Sequence, residues 1–469
     1  MQKYRNCVNG TLTEAVENYE TFNPANGTSL GFSPVSSEPE VENAVQAAIV
    51  AQSDWAKCSD KERGELTATV AKVLEKNSEY LADLITKEQG KPLSGQGSRL
   101  EMEACVLWTQ VPTGFSVGPQ IVYEDDSRKD ILNRVPFGVV AAIAPSNWPL
   151  MVAIWQIIPA IRMGNTVVLK PSEHTPIATL EMVRLINQVL PPGVLNTVTG
   201  DERIERILSS HPGIDKIVFS GSEASGRRII ENSSHNLASI TLKLGGNDAA
   251  IVLPGTDVDA FAEDLFWGTF INMGQSFASI KRLYVPEEDY ESVMSALGAV
   301  ASRMPIGDGS DENMLIGPLQ NRTQYDKAQE LITEARESGC DVRFFGEPPE
   351  KGYFLPLTLV GDIEHGQRLV DEEQCGPILP IIRYRDVNEA VASANRFPSA
   401  LGASVWGQNL DYARETANGL EAGSIWINQH GAIHPMVPFG GNNASGYGCE
   451  FGLEGLKGVT QVRVMSIKK

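Results

Sequence analysis

Between Gly138 and Gly226, short apolar runs alternate with stretches of helical period, and few folds accept that pattern. The runs are Val139 to Ile143, Thr166 to Leu169, Leu195 to Val198 and Ile217 to Phe219. Helical segments start at Met151, Ile177, Arg203 and Glu223 between and after them. Strands separated by helices pair in parallel, which predicts an α/β fold with a sheet covered on both faces. Gly245-Gly246 after Leu244 marks a break. A second alternating region then runs from Ala249 to about Trp426, with helices expected over 257–272, 288–302, 323–338 and 388–395. Upstream, the first hundred residues read as helical, over Val41 to Ala56, Lys61 to Gln89 and Leu100 to Trp108. Gln120 to Tyr123 and Ile131 to Val135 flank a polar turn and read as a surface hairpin. The tail from Phe439 is glycine-rich and turns strand-like at Thr460 to Ile467. No repeat or low-complexity segment is visible.

A chain of 469 residues has the length of about three folding units. Its 39 Lys and Arg against 59 Asp and Glu give a formal net charge of -20, which repels phosphate backbones and anionic bilayers. Nucleic acid and membrane surfaces are therefore not expected partners. No apolar run approaches the roughly 18 residues of a membrane span, and Met1 to Gly10 lacks the apolar core of a secretion signal. The six cysteines, Cys7, Cys58, Cys105, Cys340, Cys375 and Cys449, form no C-x-x-C pair. Their scatter fits neither a zinc site nor a disulfide framework, so a cytoplasmic protein without a metal is expected.

Two strand ends carry chemistry. Val168 to Glu173 ends in Lys170-Pro171-Ser172-Glu173, an ammonium and a carboxylate suited to ribose hydroxyls at a sheet's carboxyl edge. Phe219 to Gly226 offers small residues where a helix opens, and free amides there can hold a pyrophosphate. Each alone reads equally well as surface charge or an ordinary helix cap. Their order among further motifs is far more specific. Those are Asn23-Pro24-Ala25, Pro136-Phe137-Gly138, Pro145 to Pro149, Gly164 to Glu173, Leu244-Gly245-Gly246, Gly274-Gln275, Glu372 to Pro377, Pro438 to Gly441 and Ser445-Gly446. With them the chain resembles the aldehyde dehydrogenase superfamily over essentially its whole length.

The resemblance implies a Rossmann-type nicotinamide-binding domain from residues 1–115 and 136–244. It also implies an α/β catalytic domain over 245–438 and a small β oligomerisation element from 116–135 and 439–469. A homodimer or homotetramer acting on a small-molecule carbonyl substrate is expected, with NAD or NADP as cofactor. Lys170, Ser172, Glu173, Gly221 and Ser222 match the adenosine and pyrophosphate contacts, and Glu373 the carboxylate on the nicotinamide ribose. Glu173 would repel a 2′-phosphate and so favours NAD. One departure weighs against tight binding: Glu205 or a neighbour replaces a glycine usual in the family.

The family's chemistry is thiolate attack on an aldehyde, hydride transfer and thioester hydrolysis. It needs a Cys nucleophile, a Glu base and an oxyanion-binding Asn. Asn147 matches the last. The Cys position holds Phe277, the Glu position holds Lys243, and a Lys usual after Trp155 is Gln156. Cys375 stands where the family has Phe, as though ring and thiol had been exchanged across one cavity. Three readings follow. In the preferred one, redox-neutral isomerisation or addition on a carbonyl uses Asn147 with Lys243 as acid or amine, or transient hydride exchange. The others are a pseudoenzyme kept for binding or assembly, and oxidation through Cys375 or Ser276 as substitute nucleophile. Trp155, Trp267 and Phe270 read as core, and His430 and His434 as turn residues.

Overall fold

A computed structural model describes residues 2–469. Two large sheets dominate. The first has six strands in the order Gly446–Tyr447, Ser239–Leu244, Lys216–Gly221, Val139–Ile143, Thr166–Lys170 and Leu195–Thr197. All neighbours pair in parallel except Gly446–Tyr447, which closes one edge antiparallel. Successive side chains of a strand face opposite ways. Accordingly Val140 and Ala142 enter one apolar cluster, while Val139, Ala141 and Ile143 enter another across the sheet. The helices Pro149–Arg162 and Ile177–Ile186 supply the first cluster, and Glu38–Trp55 and Glu223–Ser233 supply residues to the second.

The second sheet has seven strands, in the order Asp341–Phe345, Leu357–Gly361, Ile378–Tyr384, Ile280–Pro286, Asp248–Val252, Gly402–Trp406 and Ser424–Ile427. Only Asp341–Phe345 runs antiparallel to its neighbour. The expected hairpin is present as Gln120–Glu124 and Arg128–Pro136, and Thr460–Lys468 adds a third strand from the far end of the chain. Among the described residues, no helix is long and apolar enough to cross a membrane.

Three local expectations need correction. Residues 6–35 form strands and turns, with strands Asn6–Val8, Thr11–Thr13, Glu17–Phe22 and Ser29–Val35, and helix begins only at Glu38. Asn9 and Gly10, at φ +52° and +73°, form the two-residue turn of the first pair. Asn-Gly is a strong hairpin signal, which the helical reading passed over. The helix over 61–89 breaks at Asn77 into Asp60–Lys76 and Ser78–Gln89. The glycine-rich tail contains a short helix, Gly452–Gly458, that glycine content argues against but packing imposes.

One buried cation of the first sheet yields a stability prediction. Among the described residues Lys216 has no carboxylate partner; its ammonium donates to Thr241 Oγ1 at 2.9 Å and lies over the Phe137 ring. Burial pushes its pKa from 10.5 down to about 8. Between those values the unfolded chain binds more protons, so stability rises with pH there; below about 8 the full penalty applies. Lys216→Met is expected to stabilise the fold by about 2 kcal/mol at pH 7. The gain should fade towards pH 10, as read from urea unfolding at the two pH values.

Candidate functional site

A cleft of about 720 Å³ follows the carboxyl edge of the six-stranded sheet. Lys170, Ser172 and Glu173 line one end, Gly221 and Ser222 the middle, and Lys243, Glu373 and Cys375 the other. The cofactor positions matched in the sequence therefore share one cavity. The buried Lys170 ammonium has only long contacts, 3.4 Å to the Pro171 carbonyl and 3.8 Å to Glu173, so donor capacity remains. Ser222 Oγ caps the helix Glu223–Ser233 by accepting from the Ser225 amide at 3.2 Å. The Glu373 carboxylate lies against Gly245, where a Cβ would fall 1.9 Å from Oε2. Burial pushes Glu373 upward in pKa, and Lys281 opposes it. Glu205 also lines the cleft, its pKa raised by burial against the pull of Lys170. An ammonium for a ribose, a helix start for a pyrophosphate and a glycine-backed carboxylate for a second ribose fit a dinucleotide.

A second cavity, a tunnel of about 460 Å³, adjoins the cleft at Phe277. Trp108, Trp148, Met151, Trp155, Trp267 and Ile271 make it largely apolar, with Asp264 and Gln429 among its polar residues. Phe277 lines both cavities, so its ring is the wall between them. Ser276 borders the tunnel, whereas Cys375 borders only the cleft.

The loop carrying Phe277 is fixed by its backbone. Asn272, Met273 and Gly274 have φ of +50°, +56° and +70°, a left-handed run unusual for two non-glycine residues. A Cβ at 274 would fall 2.1 Å from the Gly376 carbonyl oxygen, so glycine is required there. Asn272 Nδ2 donates to the Asn147 carbonyl, and Asn147 Nδ2 donates to the Gln275 carbonyl, each at 2.7 Å. One amide hydrogen of Asn147 remains for another acceptor. Behind Asn147, the buried Lys91 ammonium donates to its carbonyl at 2.8 Å and pairs with Glu101 at 2.7 Å. Glu101 in turn accepts from the amides of Leu150 and Met151 at the start of helix Pro149–Arg162. A carboxylate at a helix N-terminus is favoured by the helix dipole.

Lys243 lies where the cleft meets this wall. Its Nζ bonds the Glu450 carboxylate, and both side chains are buried. Four rings surround the ammonium, with centroids at 4.4 Å for Trp155, 5.0 Å for Phe451, 5.1 Å for Phe439 and 5.6 Å for Phe277. Burial pushes the Lys243 pKa down, and Glu450 opposes that shift. The tail holds Glu450 in place through a bridge in which Phe439 and Glu450 exchange backbone hydrogen bonds at 2.9 Å. Gln156 does not reach the pair; its Nε2 donates to the Ile143 carbonyl at 3.0 Å and Ser220 Oγ at 3.3 Å.

Glu450 was missed in the sequence because its partner is 207 positions away. The one visible signal is that this acid sits directly between Cys449 and Phe451. Trp155 and Phe270 are core as expected, and Trp155 also borders the tunnel and faces Lys243. His430 is no surface residue: its ring is buried, 2.9 Å from Ser404 Oγ and 3.4 Å from Asp248, whereas His434 is exposed. The Cys375 thiol is pushed up in pKa by burial, with Lys281 opposing. Among the described residues, no group of three His, Cys, Asp or Glu is placed to hold a metal.

A family model described as "Aldehyde dehydrogenase family" matches residues 12–465. Retinaldehyde dehydrogenase 3 of Rattus norvegicus is 34% identical over 459 residues, covering 96% of this chain and 90% of that protein. An NAD+ complex of an aldehyde dehydrogenase from Bacillus cereus superposes with a TM-score of 0.96 at 30% identity, covering 100% of this chain and 97% of that one. An NADP-dependent enzyme of E. coli superposes equally well, at 0.96 and 30%, covering 100% and 98%.

Proposed function

This chain belongs to the aldehyde dehydrogenase family, and from that premise we propose that it acts on an apolar carbonyl substrate without net oxidation. Oxidation by the family's route needs a thiolate against the aldehyde and a carboxylate to activate water. A phenyl ring at 277 forms no covalent bond to a carbonyl, and an ammonium at 243 takes no proton. Cys375 sits on the cleft side of the Phe277 wall with its thiol held protonated by burial, and Lys at 243 leaves Ser276 without the family's base. The observation that carries the reading is the Lys243–Glu450 pair inside its aromatic cage, one ring away from the tunnel.

Burial works against the charged form of Lys243, while the carboxylate and the four ring faces work for it; the ion pair is what would make this side chain an acid and not a free amine. A carbonyl oxygen reaching past Phe277 would accept from the spare Asn147 Nδ2 hydrogen and from the Lys243 ammonium. For a conjugated aldehyde, that draws density out of the adjacent C=C bond and lowers its barrier to rotation. The product is the geometric isomer, and no atom is gained or lost. A relative named for retinaldehyde, a conjugated polyene aldehyde, is in keeping with such a substrate.

NAD(P) would be held by Lys170 and Glu173 at one ribose, by the helix after Ser222 at the pyrophosphate and by Glu373 at the other ribose. When bound it supplies hydride-transfer chemistry. Glu173 and Glu205 flank Lys170 and disfavour the 2′-phosphate of NADP. The three-stranded sheet, with Ile121, Val122, Val462 and Val464 exposed, supports a homodimer or homotetramer. A second reading, a family member kept for assembly, is favoured by Phe277, whose ring separates tunnel from cleft.

The test is incubation with E and Z enals followed by chromatography of the isomers. Wild type is expected to equilibrate them, and Lys243→Met to lose at least about 10²-fold in rate, the range of a positioned acid. Borohydride should trap no adduct on Lys243. Unchanged isomer ratios with folded wild-type protein would leave the assembly reading standing instead.

A further inference from the structure

Strand order places the charged groups of the cleft in sequence. Along the sheet edge, Lys170 ends Thr166–Lys170, Gly221 ends Lys216–Gly221, and Lys243 lies one residue short of the end of Ser239–Leu244. A dinucleotide with its first ribose at Lys170 and its pyrophosphate at helix Glu223–Ser233 therefore carries its second base towards Lys243.

At that end the nearest cation is unmatched from the cleft side. Lys243 lines the cavity, whereas Glu450 does not and lies behind it. The pair is thus a dipole with its positive end turned towards the second base. Other charges there offset one another: Lys327 pairs with Glu372 at 3.3 Å, and buried Lys281 acts against Glu373. The oxidised nicotinamide is a pyridinium cation and the reduced ring is neutral. An ammonium beside the ring raises the energy of the first and leaves the second nearly untouched, and the low dielectric of a buried site strengthens the effect.

We propose that Lys243 makes this cleft select the redox state of its cofactor, holding the reduced dinucleotide more tightly than the oxidised one. The inference rests on the nucleotide part of the reading above and is independent of the isomerisation.

The experiment measures dissociation constants without turnover. NADH is followed by its own fluorescence, NAD+ by calorimetry, and ADP-ribose, which lacks the nicotinamide, serves as the control. Wild type is expected to bind NADH at least about tenfold more tightly than NAD+. Lys243→Met should lower that ratio about tenfold, equivalent to about 1.4 kcal/mol, while ADP-ribose affinity stays constant. Lys243→Met combined with Glu450→Gln, in which both charges of the buried pair leave together, should lower the ratio likewise, which keeps the test decisive if the first variant fails to fold. An unchanged ratio in either variant, with ADP-ribose still bound, overturns the proposal. No ADP-ribose binding by wild type would instead overturn the nucleotide reading and this inference with it.

Discussion

The triple variant Gln156→Lys, Lys243→Glu, Phe277→Cys is expected to oxidise aldehydes at a rate at least about 10³-fold above wild type, read as aldehyde-dependent formation of NADH. The magnitude reflects what an attacking nucleophile and a general base together contribute. Each substitution alone should fall short for its own reason. Phe277→Cys supplies a thiol beside the Lys243 ammonium, which favours the thiolate, but no base to release the thioester. It should therefore stall as an acylated protein, visible by mass spectrometry as one equivalent of adduct. Lys243→Glu alone sets a second carboxylate against Glu450 in a buried site, and two like charges there cannot both ionise. Gln156→Lys returns a cation near them: its present amide touches Ser220 Oγ, and Ser220 pairs in register with Lys243. Failure of the folded triple variant to reduce NAD+ with any aldehyde would mean that the departure from oxidation lies outside these three positions.

The sequence made the two sheets legible because their strands are buried on both faces, and buried parallel strands announce themselves as apolar runs. Val139 to Ile143 is five residues with no polar atom beyond the backbone. The N-terminal hairpins lacked that signal: four of the six residues of Glu17–Phe22 are polar, and their turns were marked instead by Asn9-Gly10 and Asn26-Gly27. In the site, family position identified Lys243, Phe277, Asn147 and Cys375 as neighbours of one cavity, as they are. What a position cannot convey is the partner. Lys243 read as an isolated amine because Glu450 arrives from the tail, carried by Gly446–Tyr447 pairing beside Ser239–Leu244. The same holds for His430, whose partners Asp248 and Ser404 sit on neighbouring strands far away in the chain.

That long-range pairing sets the second large effect. Lys243→Met removes a cation while leaving Glu450 buried, and one of its oxygens, Oε1, already has no hydrogen-bond partner. Breaking a buried ion pair on one side costs about 3–5 kcal/mol, because the remaining charge is uncompensated. Lys243→Met with Glu450→Gln is expected to recover most of the loss, since both charges leave together and the four rings still enclose an apolar chain. Chemical denaturation of wild type, single and double variants at pH 7.5 measures all of this. If the single variant is as stable as wild type at pH 7.5, Glu450 is reached by water, and the cage does not hold the ammonium in the charged state that the acid reading requires.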